Sequence, residues 1–369
     1  MKGMVITIMS IAKIRLMVID DSLFFRTFLT RNVEKDPIIE IIGSYGDPLE
    51  ASKHIHVLQP DVIALDMEMP RIRGDEFLRT IMPKHPTVKT IVISALSSNV
   101  FDAMHAGAID FVGKPGSTPG FDEKAFIAEV IQKIKIASTA RTRRFADQVA
   151  TIAPKSPAKP DVSATTRYAA TRSFALGATS KSVIAIGAST GGTEAIIEVI
   201  KHFPANTPAV VIVQHMPPVF TKMYAERVDK ICMMNVREAK SGDRVNTGTI
   251  LLAPGGNEQM SLRQDSKGYY VSLSPGVKVS GHCPSVDVLF ESVSKVAGKN
   301  AVGVLLTGMG ADGAKGLLSM KQRGAYTIGQ DEESCVVYGM PMEAHKLGAV
   351  STQVPLSDIG GVILRRFRQ

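Results

Sequence analysis

The stretch SVIAIGASTGGTEAI, residues 182–196, joins an apolar run to a glycine-rich turn and then to a helical pattern. The apolar run predicts a buried strand, and a strand followed by a helix indicates one βα unit of a parallel sheet. The turn between them allows two chemistries. Glycines before a helix can hold a phosphate on free backbone N–H groups, whereas Gly-x-Ser-x-Gly can present a serine nucleophile.

The same alternation of strand and helix patterns recurs along most of the chain, with one interruption. The predicted strands cover residues 14–19, 38–45, 61–67, 90–96 and 109–115, and then 182–187, 209–215, 249–255, 302–308 and 326–331. We therefore expect an α/β protein with two doubly wound parallel sheets, over residues 13–136 and 181–369. The Ala-, Thr-, Ser-, Arg- and Pro-rich residues 137–180 predict a flexible basic linker.

Composition excludes several classes of protein. The net charge is +8, but residues 138–182 hold eight Lys/Arg and two acidic residues, so most of the excess lies in the linker and nucleic-acid binding is not expected. No apolar run reaches the roughly 20 residues that span a bilayer, so the protein is not expected to be membrane-embedded. Residues 1–12 predict an extension without a signal-peptide pattern. Three widely spaced cysteines favour a reducing cytoplasm over a disulfide or zinc framework.

Charged and hydroxyl side chains follow four predicted strands of the first domain. Asp20 and Asp21 come at the end of the first strand, Asp66 at the end of the third, Ser94 at the end of the fourth and Lys114 after the apolar part of the fifth. Ligands of parallel sheets bind beyond the carboxyl ends of the strands, so these groups are expected at one edge. Carboxylate oxygens suit Mg²⁺, and a lysine with a hydroxyl suits a phosphoryl group.

The motifs VIDDS (18–22), DVIALDMEMPRIRGDEFL (61–78), TIVISAL (90–96) and FVGKP (111–115) resemble those of response-regulator receiver domains. The resemblance implies a flavodoxin-like fold and phosphorylation of Asp66 by a histidine kinase. It also implies that Mg²⁺ is bound by Asp20, Asp21, Asp66 and the backbone carbonyl of Glu68. Ser94 and Lys114 would contact the phosphoryl group, and Phe111 would be the aromatic switch residue.

A second glycine-rich turn, TGMGADG at residues 307–313, matches the Gly-x-Gly-x-x-Gly pattern of dinucleotide sites. An acidic residue, Asp331, also follows at a suitable spacing. However, the turn contains Asp312, whose carboxylate would repel a pyrophosphate. This disfavours a dinucleotide site.

A hydrolase explains more of the same residues. Ser189 lies in the first glycine turn, His215 ends the next predicted strand and Asp312 lies in the second glycine turn. A serine hydroxyl needs an adjacent base at neutral pH, and a carboxylate fixes the tautomer of that base. The chain order Ser…His…Asp differs from the Ser…Asp…His order of α/β-hydrolases, so a different hydrolase family is expected.

The motifs GASTGG (187–192), QHMP (214–217), APGG (253–256), GHCPSVDVLF (281–290), LLTGMGADGAKG (305–316) and GQDEESCVVYGMP (329–341) resemble those of the chemotaxis protein-glutamate methylesterase family, CheB. The resemblance implies Ser189 as nucleophile, His215 as base and Asp312 as third triad member. It further implies oxyanion donors on the backbone of Thr190 and Met309, with His282 as an active-site neighbour.

This resemblance also implies the reaction and the partners. Glutamate methyl esters on the cytoplasmic helices of chemoreceptors would be hydrolysed, and specific receptor glutamines deamidated, without a cofactor for the hydrolytic step. The phosphodonor would be the chemotaxis histidine kinase CheA. Phosphorylation of Asp66 would release a cleft that the unphosphorylated receiver covers.

Three other functions are compatible with a receiver. A DNA-binding regulator predicts a helix-turn-helix or winged region in the second half, where the sequence instead predicts a parallel sheet. The hypothesis of a nucleotide-dependent oxidoreductase is supported by the motif GMGADG alone. An adaptor built on an inactive esterase fold stays open as the third hypothesis.

Overall fold

The computed structural model describes residues 12–95, 99–115, 122–141 and 180–367. The chain divides into two compact units, residues 1–146 and 147–369. Most of the predicted extension and of the predicted linker, residues 1–11 and 142–179, lies outside the described residues.

The first unit is a five-stranded parallel sheet with intervening helices. Its elements are β1 (Ile14–Ile19), α1 (Leu23–Val33), β2 (Ile39–Tyr45), α2 (Pro48–Leu58), β3 (Val62–Asp66), α3 (Gly74–Ile81), β4 (Lys89–Ser94), α4 (Val100–His105), β5 (Asp110–Gly113) and α5 (Glu123–Thr139). Local chemistry starts the helices; for example, Asp47 accepts from the N–H of Leu49 at 2.9 Å, with Pro48 in the first turn of α2. The last helix continues three residues beyond the predicted domain end at residue 136.

The strand order of this sheet is β2-β1-β3-β4-β5. The chain moves from β1 outward to β2 and then returns to β3 on the other side of β1. The order therefore reverses between β1 and β3, which is where open parallel sheets bind ligands. Asp20 follows β1 and Asp66 ends β3, so both lie at this reversal.

The second unit contains a seven-stranded parallel sheet. Its elements are β6 (Val183–Ala188), α6 (Gly192–Ile200), β7 (Ala209–Gln214), α7 (Phe220–Ile231), β8 (Asn235–Glu238), β9 (Thr249–Leu252), β10 (Glu258–Asp265), β11 (Gly268–Pro275), α8 (Val286–Ala297), a 3-10 turn (Gly298–Asn300), β12 (Ala301–Leu305), α9 (Ala314–Gln322), β13 (Tyr326–Gln330), α10 (Met340–Lys346), β14 (Thr352–Val354) and α11 (Leu356–Arg366).

The order of the larger sheet is β14-β13-β12-β6-β7-β9-β8. The first strand of the unit, β6, lies in the middle, and the chain builds outward first on the β7 side and then on the β12 side. The order reverses between β6 and β12. The two glycine-rich turns of the sequence follow these two strands, so both turns lie at the reversal.

The second unit also contains elements that the sequence patterns did not predict. Strands β10 and β11 form a separate antiparallel hairpin, and β8 and β14 are short edge strands of the parallel sheet. Several predicted strands end earlier than expected, because the functional residues that follow them belong to loops. The prediction of a doubly wound parallel fold is confirmed, with the hairpin as an addition.

Close packing of helix α8 on the sheet decides where glycine is required. A Cβ atom on Gly187 would lie 2.2 Å from Val286 Cγ1, so β6 and α8 approach closely only because no side chain lies between them. The core around this contact includes Leu289 and Phe290, both fully buried. Within the described part of the chain, no helix combines the length and the apolar character that crossing a bilayer requires.

Candidate active site

The first glycine turn holds Ser189 in a fixed backbone position directly after β6. The Ser189 N–H donates to the carbonyl of Thr307 at 3.0 Å, and its own carbonyl accepts from the N–H of Gly192 at 2.7 Å. Gly191 has a φ of +76°, a conformation that favours glycine, and α6 begins at the next residue. The turn therefore exposes one serine between a strand end and a helix start.

The second glycine turn packs against this serine. A Cβ atom on Gly308 would lie 2.7 Å from Ser189 Cβ and 2.4 Å from Met340 Sδ. A Cβ on Gly313 would lie 2.5 Å from Val286 Cγ1, at a φ of +90°. Close approach and backbone conformation explain these two glycines without a phosphate, which favours the hydrolase hypothesis over the dinucleotide hypothesis.

A histidine–aspartate pair lies at the same edge of the sheet. His215 directly follows β7, and its Nε2 lies 2.8 Å from Asp312 Oδ2. The side chains are 7% and 1% exposed respectively, so solvent screens this contact very little. Among the residues that the structure describes, none forms a hydrogen bond with His215 Nδ1. This nitrogen is therefore available to a reacting group.

Asp312 is held as a carboxylate by the beginning of α8. Its Oδ1 accepts from the Ser285 hydroxyl at 2.7 Å and from the Asp287 N–H at 3.0 Å, and its Oδ2 accepts from the Val286 N–H at 2.8 Å. Burial alone would raise the pKa of Asp312, but the hydrogen bond and charge of His215 and the bond from Ser285 outweigh it and lower that pKa. A helix N-terminus also favours an anion.

The imidazole of His282 stacks on that of His215, with ring centroids 3.7 Å apart and 3° between the planes. His215, His282 and Asp312 each offer a potential metal-ligand atom, all within 4.8 Å of one another. Parallel stacked rings direct their nitrogen lone pairs side by side instead of toward a common point. Asp312 already accepts from several donors. This geometry favours proton transfer over ion coordination.

Comparisons with known proteins match both units. The CheB methylesterase family model matches residues 184–363, and the response regulator receiver domain model matches residues 16–125. A protein-glutamate methylesterase/protein-glutamine glutaminase of Syntrophomonas wolfei is 49% identical over 361 residues, covering 98% of this chain and 100% of the relative. The chain belongs to the CheB methylesterase family. It is a protein-glutamate methylesterase/protein-glutamine glutaminase with a receiver domain.

Other CheB relatives extend the comparison. The protein-glutamate methylesterase/protein-glutamine glutaminase of Rhizobium etli is 45% identical over 359 residues, which is 96% of each chain. The crystal structure of the Thermotoga maritima CheB methylesterase catalytic domain matches with a TM-score of 0.49 and 33% identity, covering 50% of this chain and 98% of that chain.

The structure also locates the backbone groups predicted to act as CheB oxyanion donors. Thr190 is buried, and its carbonyl accepts from the Thr307 hydroxyl at 3.0 Å. Met309 lies in the second glycine turn, with its side chain 49% exposed. The two residues thus lie in the two turns that meet at Ser189. Their role as donors stays a prediction.

The structure brings four of the predicted receiver residues together at the acidic edge of the first unit: Asp20, Asp21, Asp66 and Lys114. Lys114 Nζ lies 2.7 Å from Asp20 Oδ2 and 2.7 Å from Asp66 Oδ2. Asp20, Asp21 and Asp66 offer oxygen atoms within 4.8 Å of one another. Burial raises the pKa of Asp20 although Lys114 opposes this, and the charge of Asp66 raises it further. An excess of negative charge on oxygen ligands fits Mg²⁺.

The remaining predicted receiver residues lie around this edge. Ser94, the last residue of β4, is fully buried, and its hydroxyl donates to the carbonyl of the next residue, Ala95, at 2.9 Å. Phe111 is 4% exposed and packs edge-on against Phe101. Glu68 is exposed, two residues after Asp66. The phosphoryl contact of Ser94, the switch role of Phe111 and the carbonyl ligand of Glu68 stay predictions.

Two residues beside the proposed triad lie within the quoted motifs but were given no role from the sequence. Ser285 starts α8 and orients Asp312, and Gln214 donates to the carbonyls of Ser189 and His215. A serine before an apolar helical pattern is an N-cap signal, so Ser285 could have been found as a cap. Gln214 carries no comparable signal, because it reads as the end of an apolar strand.

Proposed function

We propose that this enzyme demethylates glutamate side chains on the cytoplasmic helices of chemoreceptors through an acyl-enzyme on Ser189, and that phosphorylation of its receiver activates it. The single observation that carries the mechanism is the buried 2.8 Å contact between His215 and Asp312 beside the serine turn. Family membership supports the ester and amide substrates, and the receiver unit supports regulation.

In acylation, the Ser189 hydroxyl attacks the ester carbonyl and gives its proton to His215. Since Nε2 of His215 faces Asp312, the nitrogen that accepts this proton is Nδ1. Asp312 fixes the tautomer with the proton on Nε2 and stabilises the imidazolium. The tetrahedral intermediate then expels methanol, which receives the proton from His215.

Deacylation repeats these steps with water as the nucleophile and releases glutamate. A glutamine side chain enters the same path with ammonia as the leaving group, which accounts for both activities by one site. The backbone N–H groups of Thr190 and Met309 are the proposed donors to the developing oxyanion.

Regulation is assigned to the first unit. Asp66 is the proposed phosphoacceptor, with the histidine kinase CheA as phosphodonor. Asp20, Asp21, Asp66 and the Glu68 carbonyl would hold Mg²⁺, which offsets the charge of the incoming phosphoryl group when bound. Lys114 pairs with Asp20 and Asp66, and this proximity supports its proposed contact with the phosphoryl oxygens.

The experiment that tests this function is methanol release from methylated chemoreceptor membranes. The full chain is compared with Ser189→Ala, with and without a small acyl phosphate and Mg²⁺. Ser319→Ala is the matched control, because Ser319 is a helical serine whose hydroxyl donates to Glu291 outside the site. Release that rises with phosphodonor and is lost only in Ser189→Ala supports the proposal. Undiminished release by Ser189→Ala contradicts it.

A further inference from the structure

Gln214 connects the backbone of the nucleophile to the backbone of the base. It is the last residue of β7, and its side chain is buried. Its Nε2 donates to the carbonyl of Ser189 at 2.9 Å and to the carbonyl of His215 at 3.3 Å. One carboxamide thus bridges the loops that follow two adjacent strands, β6 and β7.

The orientation of this carboxamide follows from its neighbours. Both partners are carbonyl oxygens, which accept and cannot donate, so the amide nitrogen must face them. On the other side, a Cβ on Gly192 would lie only 2.1 Å from Gln214 Oε1. The absence of a side chain at Gly192 therefore provides the space that the carboxamide occupies.

The Ser189 carbonyl lies in the same planar peptide unit as the Thr190 N–H. In a trans peptide the C=O and the following N–H point in opposite directions. The Ser189–Thr190 bond is not cis; within the described residues the cis bond recorded is Cys283–Pro284. Two donors, Gln214 Nε2 and the Gly192 N–H, fix the direction of the Ser189 carbonyl. The direction of the Thr190 N–H is thereby fixed as well.

We infer that Gln214 is a positioning residue for hydrolysis, which aims the Thr190 N–H at the oxyanion by holding the Ser189 carbonyl on the opposite side. This inference rests on the proposed function, in which Thr190 is an oxyanion donor. Gln214 does not touch the substrate; it acts through the peptide plane. Its second bond, to the His215 carbonyl, couples the same carboxamide to the loop of the base.

The test compares Gln214→Met and Gln214→Glu in the full, phosphodonor-activated chain. Methionine retains the length of the side chain and removes the donor. Thr327→Val is the matched control, because Thr327 is a buried residue whose hydroxyl donates to the Ala349 carbonyl at 2.7 Å, away from the serine turn. For each variant, kcat and KM for methanol release and the thermal melting temperature are measured.

We expect Gln214→Met to lower kcat by about tenfold or more, with KM little changed. Complete loss of one oxyanion donor lowers kcat by about 10²–10³-fold, and a donor that points in the wrong direction should lose part of this factor. Thr327→Val should keep its kcat. A buried glutamate has a raised pKa, and its protonated form can donate one hydrogen bond. The ratio of Gln214→Glu to wild-type kcat should therefore rise as the pH falls from about 8 to about 6.

An unchanged kcat in Gln214→Met overturns the inference. The inference is also overturned if Thr327→Val and Gln214→Met lose similar amounts of kcat and of melting temperature. Gln214 would then only support the fold. If Gln214→Met does not fold, the Gln214→Glu ratio decides, and a ratio independent of pH overturns the inference. Methanol release by Ser189→Ala would instead contradict the proposed function, in which Ser189 is the nucleophile, and so distinguishes that failure from failure of the Gln214 inference.

Discussion

The rings of His215 and His282 lie face to face, 3.7 Å apart at their centroids and within 3° of parallel. This stack covers one face of His215, while Asp312 holds its edge through Nε2 at 2.8 Å. The imidazole is therefore held in both position and tilt. In the proposed mechanism, a base held in this way keeps its Nδ1 in one direction throughout the two proton transfers.

Removing the stacked ring should loosen the base without removing it. His282→Ala should lower kcat about 2- to 10-fold, the range that corresponds to an aromatic pair of about 0.5–1.5 kcal/mol. His282→Phe retains a flat ring and should recover most of the rate. Methanol release measures both variants, and equal losses in the two would show that stacking is not what His282 contributes.

Asp312→Asn should fold and lose about 10⁴-fold in kcat, as in other triads whose tautomer is no longer fixed. The buried amide cannot replace a carboxylate that accepts from the Ser285 hydroxyl, two backbone N–H groups and His215. Ser285→Ala removes one of these donors and should cost much less. A loss in Ser285→Ala as large as that in Asp312→Asn would contradict this ranking.

The same carboxylate predicts a pH dependence of stability. Burial raises the pKa of Asp312, but its partners outweigh burial, so the pKa in the folded protein lies below the ordinary 3.8. A lowered carboxyl pKa stabilises the fold above the unfolded value, and this contribution disappears as the pH falls through the folded value. The stability difference between wild type and Asp312→Asn should therefore narrow below about pH 3.8, as denaturant titration can show. A constant difference across that range would contradict the shift.

Gly308 sets the distance between the two glycine turns. In Gly308→Ala the new Cβ meets Ser189 Cβ at 2.7 Å, so the serine must move. A displacement of about 1 Å in a reacting group costs about 10²-fold, which is the loss expected in kcat. The control is Gly361→Ala in helix α11, where the nearest atom is the flexible end of Arg365 at 3.4 Å. That variant should retain its activity; a parallel loss would refute the steric explanation.

Val219 lies in the loop after His215 with a φ of +74°, which is unusual for a β-branched residue. Such strain costs about 1–3 kcal/mol, and part of it is offset by the greater entropy of an unfolded glycine. Val219→Gly should therefore stabilise the protein by about 1 kcal/mol in denaturant unfolding. Val277→Gly, at an exposed valine outside the positive-φ positions, should not stabilise it.

Asp66→Asn should remove activation by the acyl phosphate and leave the basal rate unchanged, because the amide cannot accept the phosphoryl group. Asp75→Asn is the control within the same unit, since Asp75, on helix α3, pairs with Arg73 and Arg79. It should respond to phosphodonor as wild type does. Activation that survives in Asp66→Asn would place the phosphoacceptor elsewhere.

Much of this architecture was predictable because strand ends carry the chemistry of parallel sheets. The runs before Asp66, Ser189 and His215 are largely apolar, so both parallel sheets and the strand ends that carry these residues were predicted, apart from the edge strands β8 and β14. The hairpin β10–β11 was missed. Strand β10 lacks a strict alternation, because Gln259 and Met260 are both buried and the polar residues at its end, Arg263, Gln264 and Asp265, are all exposed.

The partners of the triad were harder to predict, since they depend on how distant elements pack. Ser285 reaches Asp312 only because the absence of a side chain at Gly187 lets α8 approach β6. The bond from Gln214 to the Ser189 carbonyl requires the register that pairs Ala188 with Gln214 across two strands. Neither distance is encoded in a local motif.

The order of strands in the larger sheet has a consequence for how activity arises. Ser189, His215 and Asp312 follow β6, β7 and β12, which are neighbours in space, although the last two residues are 97 positions apart in sequence. Ser189 and Asp312 are 123 positions apart, so no shorter continuous fragment contains all three residues of the proposed triad. In the proposed mechanism, hydrolysis therefore requires β6, β7 and β12 to be assembled side by side. A folding intermediate in which β12 has not docked would have Ser189 and His215 in place but would lack the carboxylate of Asp312. Such an intermediate would be inactive until β12 joins the sheet.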